Sequence, residues 1–319
     1  MPCFYLPNVL FKASTESLTK TRYLWESISN GFKFLASLAE KFAKFFDDLF
    51  ILSSIDGTIR SVVGLLPIKV EKFFNIKSQY GGLSTNAVVL VATIRALKYH
   101  GGAKLKELSQ SNPEALRVGL ANLDKHVENI RFYGISPVIG INKFSTDSQE
   151  EIDILTEHAQ KNGLKIALNE SWEKGGEGAI ELAKMVAESA DKCISCFKPL
   201  YDFEQEIEDK IEIIATKMYG AGKVEYSLQA KASIKRIKEL GLDKLPICIA
   251  KTQKSISDNP NLKGRPQGFI VKIREVELAA GAGFIIPIAG TIMRMPGLPE
   301  TPSAELIDID NEGNISGLF

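Results

Sequence analysis

Two stretches bring chemistry-bearing residues to the ends of apolar runs. "SPVIGINKFSTDS" passes from a strand-like run into Asn142, Lys143 and Phe144. "LKIALNESWEKGGEG" passes from another into Asn169, Ser171 and Trp172, and then into Gly175, Gly176, Glu177 and Gly178. In an open parallel sheet, ligands gather beyond the carboxyl ends of the strands. Aromatic faces at two adjoining strand ends can sandwich a flat heterocycle. Each residue also has a plain role, because strand-end Asn commonly caps and both aromatics can close the sheet's edge. A glycine-rich turn that opens a helix offers free backbone N–H groups to a carboxylate or phosphate, although the same glycines serve a tight turn. No G-x-x-x-x-G-K-[ST] occurs anywhere, so a nucleotide site built here has a base end and no phosphate end.

The elements that must position these residues follow from periodicity. "NAVVLVATIRAL" reads as a buried strand, and "NPEALRVGLANLDKHVENIRFYG" as a helix opening at Asn112-Pro113 and closing at Gly134. "SPVIGIN" is a second buried strand. Asp147 or Ser148 caps the next helix, Asn162-Gly163 ends it, "LKIAL" makes a third strand and "EGAIELAKMVAESADK" the following helix. Fully apolar strands alternating with helices predict a parallel sheet covered by helices. After "CFKPLYDFEQ" the pattern changes. Two amphipathic helices, "EIEDKIEIIATKMYG" and "SLQAKASIKRIKELGL", precede strands in "LPICIAKT" and "GFIVKIREVELAAGAGFIIPIAG". In the first seventy residues Phe32, Leu35, Ala39, Phe42 and Phe46 fall near one side of a helix. Its balanced charges suit packing on protein better than lying on lipid.

Composition narrows the classes. The 39 Lys and Arg cancel the 39 Asp and Glu, so no field favours nucleic acid or anionic lipid. No apolar run approaches the roughly 20 residues of a spanning helix, so no membrane partner is expected. Four cysteines, Cys3, Cys193, Cys196 and Cys248, are too few and scattered for a disulfide framework. Cys193 and Cys196 form a C-x-x-C, but no second pair completes a zinc site, so no metal is expected. The opening residues make a poor targeting peptide, which suggests a cytoplasmic protein with a mitochondrial alternative.

From about Glu71 to Phe319 the chain resembles the C-terminal part of the formate–tetrahydrofolate ligase family, also called formyltetrahydrofolate synthetase. The resemblance rests on collinear segments: "EKFFNIK", "NAVVLVATIRALKYHGG", "NLDKHVENI", "INKFSTDS", "SWEKGGEG", "KPLYDFE", "DKIEIIATKMYGA", "LPICIAKTQKSISDNP", "GRPQGF", "AGAGFIIPIAGTIMRMPGLP" and "IDIDNEGNISGLF". It implies ATP-dependent joining of formate to tetrahydrofolate, with Mg alongside ATP. Phe144 and Trp172 resemble the aromatic pair that holds the pterin and aminobenzoyl part of folate. Asn142 resembles the strand-end Asn that contacts adenine, and Ser171, Gly175, Gly176, Glu177 and Gly178 resemble the adjacent nucleotide wall. The family's phosphate loop and the Arg serving formyl phosphate belong to an N-terminal half to which nothing in residues 1–69 is similar. Near the join, "NIKSQYGGL" departs from the family at Ser78, Gln79 and Gly81.

The resulting expectation is α/β: a parallel sheet flanked by helices, the C-terminal part of a P-loop-NTPase-like ligase, followed by a smaller α+β domain and preceded by a helical segment. The expected limits are 1–69 for the helical segment, 70–190 for the folate and adenine pocket, and 191–319 for the C-terminal domain. Expected partners are tetrahydrofolate, a separate chain carrying the phosphate loop, and further copies in a homo-oligomer. The alternatives are a non-catalytic folate-binding or assembly module and a truncated gene product. Catalytic residues are not assigned by the sequence.

Overall fold

A computed structural model describes residues 49–55, 59–65, 70–79, 81–82, 85–192, 197–290, 292, 308–309 and 315–316. The chain divides into two compact units, residues 1–65 with 84–197 and residues 66–83 with 198–319. The architecture is mixed α/β.

The first unit contains strands β1 (Leu49–Ile55) and β2 (Ile59–Leu65), paired antiparallel with Leu49 opposite Leu65. A helical segment was expected over residues 1–69, but its described part is this strand pair. The sequence offers a reason: Asp56-Gly57 between apolar runs is a hairpin-turn signal. The helix expected around Phe32 to Phe46 lies outside the described residues.

The main sheet of this unit is parallel, in the order β3 (Val89–Ala92), β4 (Val138–Asn142), β5 (Lys165–Asn169). Its strands are short and apolar, and Val89, Leu90, Val138, Ile139 and Ile141 are buried. The strand expected across "NAVVLVATIRAL" is shorter than that run. At Thr93 the side-chain oxygen accepts the Ala96 N–H at 3.2 Å, and the chain turns into α1 (Ile94–His100). A capping hydroxyl at an extended residue overrides the apolar run.

Helix α2 (Pro113–Arg131) starts as expected at Asn112, which accepts the Ala115 N–H at 3.0 Å, and buries Leu116, Leu123, Val127 and Ile130. Two glycines let α1 and α2 touch through backbone. A Cβ on Gly119 would lie 1.9 Å from the Leu97 carbonyl oxygen, and one on Gly101 would lie 1.7 Å from that of Ala115. Helix α3 (Gln149–Lys161) opens on a capping box between Ser148 and Glu151, closing at Asn162. The single turn α4 (Ser171–Lys174) and a 3₁₀ turn (Gly175–Ala179) lead into α5 (Ile180–Lys192). Leu182 on α5 packs over Gly140 of β4. No described helix is long and apolar enough to cross a membrane.

The second unit holds a helical segment around Lys72–Ser78, wound as a π-helix, and α6 (Ile207–Ile213), which widens into a π-helical turn over Ile214–Tyr219 and stops at Gly220. Then come β6 (Lys223–Tyr226), α7 (Leu228–Glu239), β7 (Ile270–Ala279) and β8 (Phe284–Ala289). Strand β6 pairs parallel with β7, and β7 pairs antiparallel with β8. "LPICIAKT" runs parallel to β8, with Cys248 N–H on the Ile285 carbonyl and Ala250 N–H on that of Pro287, both at 2.8 Å. The short strands β9 (Asp308–Ile309) and β10 (Ile315–Ser316) pair antiparallel.

Candidate functional site

Parallel pairing aligns the carboxyl ends of β3, β4 and β5. Ala92 lies opposite Ile141, Ile141 opposite Leu168, and Asn142 opposite Asn169. The turns that follow therefore leave the sheet at one rim. Phe144 stands two residues beyond the end of β4, and Trp172 three beyond the end of β5, so both sequence-predicted aromatics belong to this rim. Asn142 is the last residue of β4, half-buried, and the Lys143 N–H donates to the Asn169 carbonyl at 3.3 Å, continuing the pairing past the strands.

The turn after β4 is closed by Asp147. Its Oδ2 accepts the Phe144 N–H at 2.8 Å, and its own N–H donates to the Phe144 carbonyl at 3.0 Å. Burial pushes the Asp147 carboxyl above its ordinary range, while the Phe144 N–H and the nearby Arg95 and Lys98 charges oppose the rise. The Arg95 guanidinium lies 4.4 Å from the Phe144 ring centroid and donates to the Thr146 hydroxyl at 2.9 Å. One face of Phe144 is thus backed by a cation, an attractive arrangement for the ring's negative face. Only the opposite face is left for stacking.

Below this turn a buried ion pair ties α1 to α3. Lys98 Nζ lies 3.0 Å from Glu151 Oε1 and donates to the Gln110 carbonyl at 2.7 Å. Glu151 also accepts the Asn112 N–H at 2.8 Å and both the N–H and hydroxyl of Ser148. Burial alone would raise the Glu151 carboxyl, yet these donors bring it below its ordinary range. A buried pair satisfied in this way holds geometry more than it adds stability. Here the geometry it holds is that of the helix carrying Arg95.

The turn after β5 is organised by Glu170. Its N–H donates to the Gly178 carbonyl at 3.0 Å, and its own carbonyl accepts from Glu173 and Lys174. Its Oε1 lies 2.7 Å from Lys143 Nζ and its Oε2 2.7 Å from Lys174 Nζ. Hydrogen bonds from Lys143 and Lys174 hold the carboxyl down at about 2. The Ser171 N–H is taken by the Asn169 side chain at 3.3 Å. Trp172 is 53% exposed, so its ring is open to solvent at this rim.

The glycine loop has a structural explanation at two of its positions. Gly175 sits at φ 60°, ψ −144°, a region essentially reserved for glycine. A Cβ on Gly178 would come within 2.5 Å of the Glu170 carbonyl group. Gly176 and Glu177 are exposed and have no such constraint. Arg95 was not singled out in the sequence, because reading "NAVVLVATIRAL" as one strand hid the switch to helix at Thr93.

Among the described residues no group of three or more His, Cys, Asp or Glu side chains is gathered as metal ligands would be. Cys193 and Cys196 lie outside the described residues, and burial pushes the Cys248 thiol up to about 11. The profile of the formate–tetrahydrofolate ligase family matches residues 66–319.

Proposed function

The chain belongs to the formate–tetrahydrofolate ligase family, and on that premise we propose that its rim binds tetrahydrofolate between Phe144 and Trp172, for ATP-dependent formation of 10-formyltetrahydrofolate in one-carbon metabolism. The observation that carries the reading is the β4–β5 register. It sends the Phe144 and Trp172 turns off one rim, with Trp172 half exposed and Phe144 backed on one face only. A flat pteridine fits such a pair, because offset stacking adds about 0.5–1.5 kcal/mol per ring beyond the area buried.

In this reading Asn142, at the strand end, contacts the adenine of ATP, and Ser171 with Gly175, Gly176, Glu177 and Gly178 forms the neighbouring wall. ATP supplies the driving force for joining formate to the folate amine. The described residues contribute binding and orientation: Arg95 and Asp147 fix the Phe144 turn, and Glu170 fixes the Trp172 turn. No step is assigned through a metal. No Walker A motif occurs in these 319 residues, so in this reading the phosphates of ATP are assigned to a P-loop-bearing segment and to none of the residues named above.

Calorimetric titration with tetrahydrofolate tests the binding claim. Saturable binding is expected, and Phe144→Ala should weaken it about two- to tenfold, the equivalent of one lost stacking contact. An affinity untouched by Phe144→Ala removes the ring from the site.

A further inference from the structure

We propose that Glu170 is a positioning residue, clasping the two aromatic-bearing turns together so that its paired lysines fix where Trp172 stands relative to Phe144. Its ligand-binding consequence rests on the folate reading above, whereas its effect on Trp172 does not.

The geometry is specific. Glu170 is anchored through its main chain, with its N–H on Gly178 and its carbonyl accepting the N–H groups of Glu173 and Lys174 at 3.1 and 2.9 Å. Gly178 approaches so closely that no other residue fits without a shift. The carboxylate then reaches in two directions, 2.7 Å to Lys143 and 2.7 Å to Lys174. Lys143 is the residue immediately before Phe144, and Trp172 lies inside the turn that Glu170 and Lys174 close. The Lys174 arm braces that turn on itself. The Lys143 arm crosses from the β5 rim to the β4 rim, and it is the side-chain link that can transmit the position of one aromatic to the other. The Glu170 side chain is 15% exposed, against 32% for Lys143 and 53% for Lys174. The crossing arm is therefore the better shielded of the two.

Exposed ion pairs are worth little in global stability. A clasp of this kind should consequently show itself in local geometry and salt response more than in the melting point. The test uses the full chain carrying Trp25→Phe, which leaves Trp172 as the sole indole. Acrylamide quenching of Trp172, without any ligand, is compared in the parent, Glu170→Gln, Lys143→Met and Lys174→Met. The first two substitutions should raise the quenching constant by a similar factor, while Lys174→Met should raise it less. The differences should shrink at about 1 M salt, where the screening length falls to roughly 3 Å. Tetrahydrofolate affinity should weaken about two- to fivefold in Glu170→Gln at low salt, following the same salt dependence.

Quenching unchanged in both Glu170→Gln and Lys143→Met at low salt overturns the proposal, as does a change that persists undiminished at high salt. If quenching responds as expected while the parent binds no tetrahydrofolate, the clasp stands and the folate reading falls.

Discussion

Glu71 is buried completely, and among the described residues neither of its carboxylate oxygens has a hydrogen-bond partner. Burial pushes its pKa from 4.5 to about 8, against the opposing charges of Lys72 and Lys251. The sign of the linkage follows. A folded-state value raised above the unfolded one means that the folded chain keeps its proton longer. Glu71's contribution to stability is therefore fully present below pH 4.5 and is lost as pH rises toward 8. Glu71→Gln removes that loss, so its thermal midpoint should exceed the parent's by a margin that grows between pH 5 and pH 8. The gain should be on the order of a few kcal/mol at its upper end. A margin that is flat with pH would show that Glu71 is not held protonated. Lys251 shows the opposite solution. Burial brings it down to about 7, but its ammonium donates to the carbonyls of Thr252, Ser255 and Ser257, so it has partners whichever way it titrates. At this scale the sequence revealed Phe144 and Trp172, because residues just past apolar strands fall at a rim by periodicity alone. It did not reveal the Glu170 clasp, whose Lys143 partner is 27 residues away and is brought near only by strand pairing.

Elements were more legible than their boundaries. The helix starts at Asn112 and Ser148 follow from capping chemistry written in a few adjacent residues. The start of α1 at Thr93 did not, since "TIRAL" continues an apolar run and only the hydroxyl cap turns it. The close contact of α1 with α2 was equally hidden, because a glycine inside a helix gives no sign of what approaches it. This contact makes a sharp prediction at Gly119. Helix propensity alone favours Gly119→Ala by about 1 kcal/mol. The new Cβ, however, would lie 1.9 Å from the Leu97 carbonyl oxygen, which is backbone and cannot swing aside. Overpacking of this kind costs typically about 1–3 kcal/mol, so the clash wins and the thermal midpoint should fall. A midpoint that rises would mean that α1 and α2 stand farther apart than described. Arg95 rides on α1, so the same substitution should also loosen its stacking on Phe144.

At the scale of the whole molecule, each compact unit has its own core, one around the parallel β3–β4–β5 sheet and one around the mixed β6–β7–β8 sheet. The sequence announced this change of architecture through its change of rhythm after the third strand and helix. The β1–β2 pair was less legible, because its only local signal is the Asp56-Gly57 dipeptide between two short apolar runs that directly follow a Phe-rich, helix-periodic stretch. The central claim is that the rim of the parallel sheet is a folate site built on Phe144 and Trp172. It is tested most directly by titrating tetrahydrofolate into the Trp25→Phe chain and following Trp172 emission, corrected for the ligand's own absorbance. Saturable quenching, with a midpoint matching the calorimetric affinity and moved to higher concentration by Phe144→Ala, is the predicted result. Emission that stays constant at saturating tetrahydrofolate in a well-folded preparation would contradict it, leaving the exposed Trp172 outside any folate site.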